Sequence, residues 1–431
     1  MTALAEPQAP QAPAAAQAST LAPVKYRGPV VILALSVVLL VVFALAIDPA
    51  DTTTFRVATS RDVWQISPFT VPSLLTCVVA SLVAIAIGVL ALLRARARRA
   101  VPAWWYAVAG VVLLFAVLAW SVAGTGNAFP LTLLLVNAVG LAVPLCLGAL
   151  AGLLCERSGV INIAIEGQLL AGAFLAVVVG TITGNPYVGL VAAPVAGALV
   201  GAVLALFAVR YWVDQIIVGV VLNVLVIGLT NYLFSTVLTN DPQGLNAPPR
   251  LPELPIPGLS AIPILGPALF NHPLTVYLMY AAVIVLQVMV FRSRWGLRLR
   301  SVGEHPKAAD TVGIKVNPTR VRSTVLGSAL AGLGGAALVS AGLAFTKELT
   351  SGKGYIALAA MILGRWSPTG AFAAALFFGT ADALRRVLNN LGSPIPSELL
   401  GMLPYLATIF AVAGLVGRVR PPAAEGIPYK K

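Results

Sequence analysis

Charge is scarce in this sequence. Only 10% of its 431 residues are Asp, Glu, Lys or Arg, whereas a soluble globular chain carries about a quarter. Hydrophobic residues make up 59%, and large soluble domains still need a polar skin, so a soluble fold of this length is excluded. The surplus apolar surface has to face lipid. Histidine is almost missing, at two residues, and no His-Glu-x-x-His occurs, which argues against metal chemistry. The three cysteines, Cys77, Cys146 and Cys155, lie in or at the end of apolar runs without metal-ligand spacing. They read as small apolar fillers. No Gly-x-x-x-x-Gly-Lys-Ser/Thr phosphate loop is present, so no ATPase is encoded here. No charged relay of the kind that proton or sodium coupling often requires runs through the spans. No catalytic constellation suggests an enzyme.

Long apolar runs are abundant. A helix needs about 20 apolar residues to cross the hydrocarbon core. Twelve candidates follow: Pro29–Ile47, Ser73–Leu93, Ala103–Ala123, Leu131–Leu153, Ile163–Thr183, Tyr187–Arg210, Gln215–Leu238, Leu274–Phe291, Val321–Leu343, Tyr355–Gly364, Gly370–Leu388 and Met402–Val416. The tenth is about half a span and reads as a short or broken crossing that ends in a water-filled vestibule. The fold class is therefore all-α, a polytopic membrane bundle. Residues 1–28, rich in Ala, Pro and Gln, read as a disordered tail. The first run is longer than the apolar core of about 7–15 residues in a cleaved signal, so it reads as an anchor.

The net charge of +13 would suggest nucleic acid in a soluble protein. Here the basic residues sit between apolar runs, which is the positive-inside pattern. The inner loops hold Arg94, Arg96, Arg98 and Arg99, then Arg157, then Arg210. The largest cluster runs from Arg292 to Arg322, and the tail adds Arg418, Arg420, Lys430 and Lys431. The alternation closes with both termini inside. Pairs such as Gly148/Gly152, Gly180/Gly184 and Gly197/Gly201, and the run from Gly327 to Gly335, let helices approach closely in lipid.

Three segments interrupt the apolar pattern. In Cys155-Glu-Arg-Ser-Gly-Val-Ile-Asn-Ile-Ala-Ile-Glu-Gly167, Asn162 and Glu166 share one face if helical. They either touch a polar solute or tie down neighbouring backbone N–H groups. In Ser301-Val-Gly-Glu-His-Pro-Lys-Ala-Ala-Asp-Thr-Val-Gly-Ile314, Pro306 suits the first turn of a short helix over Lys307 to Val312 that ends near Gly313. This helix either docks into a cytoplasmic partner or is a solvated loop. Around Thr346 to Tyr355, glycines beside a half-length helix suggest a broken span lining a pore. Asn137, Asn223, Asn231, Gln287 and Asp382 also lie inside spans. Asp382 has Arg385 and Arg386 at helical spacing and should pair locally.

Three blocks, Glu156 to Gly167, Gly303 to Gly313 and Gly354-Tyr-Ile-Ala-Leu-Ala-Ala-Met-Ile-Leu-Gly-Arg-Trp-Ser-Pro368, resemble the permease subunits of bacterial importers in the branched-chain amino acid, simple sugar and nucleoside permease family. They are most similar to the nucleoside-uptake subgroup. The ribose-type Gly-Ile-Asp-Leu-Ser-Val-Gly and the amino-acid-type Asn-Phe/Leu-Ala-His-Gly stretches are both missing. The resemblance covers about residues 131 to 417. It implies a type II ABC importer-like permease core (residues 124–417) preceded by three additional helices in residues 29–123 and followed by a cytoplasmic tail, 418–431. It further implies a location in the bacterial inner membrane and a heterodimer with a second permease. Cytoplasmic ATPases and an extracytoplasmic binding lipoprotein complete the implied assembly. The expected coupling segment is Gly303, Glu304, His305, Pro306, Lys307, Ala308, Ala309 and Gly313. The expected solute path includes Asn162, Glu166, Asn137, Asn223 and Tyr355. The expected solute is a nucleoside. A simple sugar and, from another class, an ion-coupled carrier are the alternatives.

Overall fold

The computed structural model describes residues 26–58, 64–392, 398–399, 401–402, 405 and 420–430. The expected disordered tail, apart from its last three residues, and most of the expected span Met402–Val416 lie outside the described residues. The chain divides into two compact units, Met1–Thr53 with Val71–Gly124, and Thr54–Thr70 with Thr125–Lys431.

The first unit holds α1 (Arg27–Ala46), α2 (Ser73–Arg96) and α3 (Ala103–Ser121). Ala84, Ala109 and Leu113 form its small core against Ile32, Leu39 and Ile87. Polar side chains turn back onto helix carbonyls, as an apolar solvent requires. Ser36 Oγ donates to Ile32 O at 2.7 Å and Ser81 Oγ to Cys77 O at 2.8 Å. Thr53 Oγ1 donates to Ala119 O at 2.7 Å. Arg94 lies over the Trp105 ring at 5.3 Å.

The second unit begins with α4 (Leu131–Glu156), α5 (Ile165–Thr183), α6 (Pro186–Ala205) and α7 (Gln215–Leu233). Both α6 and α7 run on as π-helical turns, to Arg210 and Leu238. Short helices α8 (Pro242–Leu245) and α9 (Leu265–Phe270) lie in the long loop, where residues 253–255 pair antiparallel with 271–273. Next come α10 (Leu274–Arg292), α11 (Arg294–Glu304), α12 (Pro306–Thr311) and α13 (Val316–Val339). The last are α14 (Lys353–Leu363) and α15 (Pro368–Leu391). Local sequence sets the boundaries. Asn185, Asp214, Ser293 and Ser367 accept backbone N–H groups at helix starts, and Gly184 and Gly392 end helices at positive φ.

The core surrounds α4, whose Leu147, Leu150, Leu153 and Leu154 pack with Met279, Met361 and Phe378. Helices α5, α6 and α13 touch backbone to backbone. A Cβ on Gly172, Gly197 or Gly335 would overlap Gly332, Ser328 or Leu169 carbonyls, so Gly197 and Gly335 do the close packing that their spacing suggested, whereas a Cβ on Gly184 of the expected pair Gly180/Gly184 would meet nothing.

Among the described residues, nine helices are long and apolar enough to cross a membrane, so a count of twelve is not reached on this ground. The tenth expected segment is α14, 11 residues long, or about 16 Å at 1.5 Å per residue. Helix α15 is long enough but carries Asp382, Arg385 and Arg386. The expected span Val321–Leu343 is corrected to Val316–Val339. The apolar-run criterion excluded Arg320, yet that side chain is buried on backbone carbonyls. The basic expected loop also contains a helix that was not foreseen, α11.

Candidate functional site

The site is built on a break in the helices. Arg157 to Ala164 joins α4 to α5 through Gly159 at φ +90. Asn162 and Gln168, both fully buried, exchange amide hydrogen bonds at 3.0 and 3.1 Å. Glu166 receives three donors. Its Oε1 accepts from Thr350 Oγ1 at 2.6 Å and Gly352 N at 2.8 Å, and its Oε2 accepts from Gly354 N at 2.6 Å. The carboxylate therefore sits on the first turn of α14, where helix N–H groups lack intrahelical partners and the dipole favours negative charge. Gly354 has to be glycine, because a Cβ there would overlap the Glu166 backbone.

Asn223 closes the same junction from α7. Its Oδ1 accepts from Gly167 N at 2.8 Å, while Nδ2 donates to Ile163 O at 2.9 Å and Tyr355 Oη at 3.3 Å. Asn162, Glu166, Asn223 and Tyr355 thus meet around the start of α14, but only Tyr355 is open, at 50% exposure. The other three spend their polar atoms on the protein. Asn137 stands on α4, half-buried, at the height of α15 near Gly379, since a Cβ on Gly379 would overlap Ala138 O. Asp382 pairs with Arg385 at 2.9 Å and Arg386 at 3.5 Å, as its spacing suggested.

Helix α14 runs beside the second half of α4. A Cβ on Gly148 would meet Ala357, and one on Gly152 would meet Met361. It ends in the turn at Trp366, whose Nε1 donates to Glu156 Oε2 at 2.5 Å and whose carbonyl accepts from Arg157 Nε and Nη2 at 3.1 and 2.8 Å. This is the basic end of the bundle.

At that end α11 and α12 form a groove of about 400 Å³. Glu304, His305, Ala308 and Ala309 line it, with Leu297 and Val312 as apolar walls. Pro306 opens α12, and Gly313 at φ +85 closes it. Lys307 and Ala308 face outward, while Gly303 and Ala309 are buried. Gly303 lies against Arg157, where a Cβ would overlap the carbonyl.

A C-terminal strap, residues 420–430, crosses the same region. Ala424 N donates to Gly303 O at 2.9 Å, Ala423 N to Glu304 Oε2 at 3.2 Å and Gly426 N to Gly159 O at 3.3 Å. Arg320 donates to Ile427 O at 2.7 Å and Ser158 O at 3.2 Å. Tyr429 packs with Val302, Ala309 and Val316, and Lys430 lies 4.9 Å over the Trp212 ring. The Glu425 carboxyl meets that of Glu156, and its burial pushes its pKa up. Two carboxyls in contact share a proton rather than both ionise. Strap, α11, Trp366 and Arg320 carried no sequence signal of these roles beyond the basic composition. Among the described residues no group of His, Cys, Asp and Glu could hold a metal ion.

A family model for the permease component of the branched-chain amino acid transport system matches residues 134–412. The chain is 40% identical over 300 residues to the guanosine ABC transporter permease protein NupQ of Bacillus subtilis, covering 67% of this chain and 94% of that one. It is 33% identical to the nucleoside ABC transporter permease protein NupC of Lactococcus lactis, covering 70% and 98%. It is also 33% identical to the putative glucose ABC transporter permease protein TsgC13 of Haloferax volcanii, covering 66% and 92%. No solved structure matches the chain.

Proposed function

This chain belongs to the family of branched-chain amino acid transport system permease components, and we propose that it forms one wall of the pathway of an ABC importer for nucleosides. It is a transport component and not an enzyme. The relatives at 40% and 33% identity named for guanosine and nucleosides support the substrate. The relative named for glucose keeps a simple sugar as the second reading.

The mechanism rests on one chain of contacts. The α12 groove is joined through Gly303 to Arg157, and Arg157 is joined through the Trp366 carbonyl to the end of α14. At the other end of α14 stands Tyr355, the open member of the junction. In this reading the basic end is cytoplasmic, both termini lie there, and the groove takes a partner ATPase that alone uses ATP. Closure of the ATPases moves α12, and rigid contacts pass that movement to the half helix. Helix α14 as one short crossing and α15 add to the nine long spans of the plasma membrane among the described residues, and the expected twelfth, Met402–Val416, lies mostly outside those residues. A second, different permease supplies the facing wall, and an extracytoplasmic binding lipoprotein delivers the solute. Asn162, Glu166 and Asn223 hold the junction, while Tyr355 and Asn137 face the path.

The test is uptake of labelled guanosine and glucose by cells carrying the full transporter, with Lys307 and Ala308 both changed to Glu in a parallel strain. Guanosine uptake that needs the ATPase and is lost in the double variant is expected. Preferential glucose uptake would replace the substrate, and normal uptake by the double variant would remove the coupling role.

A further inference from the structure

Helix α15 changes character part-way along one stripe. Ala371, Ala375, Phe378, Asp382, Arg386 and Asn389 follow one another at steps of three and four, so they share a face. The first three are buried in the α4 cluster beside Met361 of α14. Beyond them the Arg386 side chain is 53% exposed and that of Asp382 22%. The change falls where α14 begins. From its contacts with Gly148 and Gly152, Lys353 is level with Pro144 of α4, while Gly379 is level with Ala138 to Ala142. Asp382 and Arg386 therefore stand roughly 10 and 16 Å beyond the start of α14. A full-length α14 would cover them, and the half helix leaves them open. The Lys353 ammonium sits at the floor, within electrostatic reach of Asp382, Arg386 and Arg385. Charges in a membrane bundle stay beside water or a partner because lipid solvates them poorly.

We propose that the space beyond the start of α14 is an aqueous solute-binding vestibule in which Arg386 reads the acceptor edge of an oxopurine nucleoside. This rests on the nucleoside reading above. A guanidinium has five donors in a planar fork, and among the described residues the 3.5 Å contact to Asp382 leaves most of them available. That fork matches a ring carbonyl beside a ring nitrogen, the pattern of guanine and hypoxanthine, whereas adenine places an amino donor there. Asp382, held also by Arg385 at 2.9 Å, fixes the fork from behind. The half-exposed Tyr355 ring in the first turn of α14 supplies a face on which a base can stack.

The experiment compares guanosine and adenosine uptake by the complete transporter with Arg386, Arg386→Gln and Arg386→Lys. The binding protein is common to all three, so its preference cancels in the variant-to-parent ratio. Relative to adenosine, guanosine kcat/KM should fall about ten- to a hundredfold in Arg386→Gln. Arg386→Lys should recover only part of this, because an ammonium lacks the fork. In Arg386→Cys, a membrane-impermeant thiol reagent should label the new cysteine, since the three native cysteines are buried. Guanosine should slow that labelling more than adenosine does. An equal fall for both nucleosides, or labelling that guanosine leaves unchanged, overturns the vestibule. A parent transporter that takes up neither nucleoside defeats the substrate reading instead, before any variant is compared.

Discussion

Helices α1 to α3 and helices α4 and α5 are all apolar enough to span a membrane but differ in what their side chains meet. Over their best membrane windows, 17% of α1 and 33% of α2 and α3 are buried within the protein, against 67% of α4 and 61% of α5. Apolar residues on α1 such as Val38 and Leu45 are exposed and suit lipid. The family match starts at residue 134, after α3. Hydropathy reports the solvent a helix tolerates, whereas small residues and paired polar groups report what it touches. The glycines show this best. In the second unit Gly172, Gly197, Gly335 and Gly354 meet backbone, and in the first Gly88 meets the Leu33 side chain.

The largest effect should come from Gly354→Ala. Its Cβ would overlap Glu166 N and Cα, which cannot step aside. Overpacking of this kind costs about 1–3 kcal/mol, and shifting α14 also strips N–H donors from Glu166. Nucleoside uptake by the full transporter should fall by about tenfold or more at normal membrane abundance. Thermal unfolding of the purified complex should come earlier. Unchanged uptake would mean that α14 tolerates displacement and is no moving part.

Removal of residues 421–431 comes next. It would leave Gly303 O, Gly159 O and part of Arg320 without their strap partners, at about 0.5–1.5 kcal/mol for each hydrogen bond. The strap ties the α12 region to the α4–α5 turn, so coupling should suffer more than insertion. Uptake should drop several-fold, while ATP hydrolysis by the assembled transporter loses its dependence on solute. Normal coupling in the truncated protein would show the strap to be passive.

A smaller effect concerns pH. Burial raises the Glu425 pKa above its ordinary value, so the Glu425–Glu156 pair keeps a proton in the folded protein that is given up once the strap is released. Stability from this group is full below the ordinary carboxyl pKa of about 4.3 and is lost as pH rises through the folded value. Amide exchange at Ala424 and Gly426, corrected for intrinsic rate, should show weaker protection as pH rises from about 5 to 8. Glu425→Gln should flatten that trend. A variant with the parent's slope would place the proton elsewhere.

Sequence reading succeeded where the cause is local. Apolar length located the described spans, Pro306 and Gly313 bounded α12, and spacing paired Asp382 with Arg385 and Arg386. It stopped short where partners are distant. Glu166 carried two readings because Gly352 and Gly354, 186 and 188 residues away, are invisible to any local pattern. Arg320 looked like loop charge because burial on carbonyls from Ser158 and Ile427 leaves no periodic trace. Tyr429 belongs to the α12 cluster only because the chain returns there.

The smallest effect is expected at Gly88→Ala, the counterpart of Gly354→Ala in the first unit. The crowded atoms are Leu33 Cγ and Cδ2, the movable end of a side chain on a helix with little buried surface. A rotamer change can relieve the overlap. Alanine also restores the helix propensity that glycine lacks, worth about 1 kcal/mol, so stability should change by less than about 1 kcal/mol in either direction. Uptake should stay at the parent level, because no contact chain described in the second unit passes through Gly88. A loss comparable to that of Gly354→Ala, read in the same uptake and unfolding measurements, would mean that α1 to α3 take part in the transport cycle. The contrast would then lie in packing style alone and not in function.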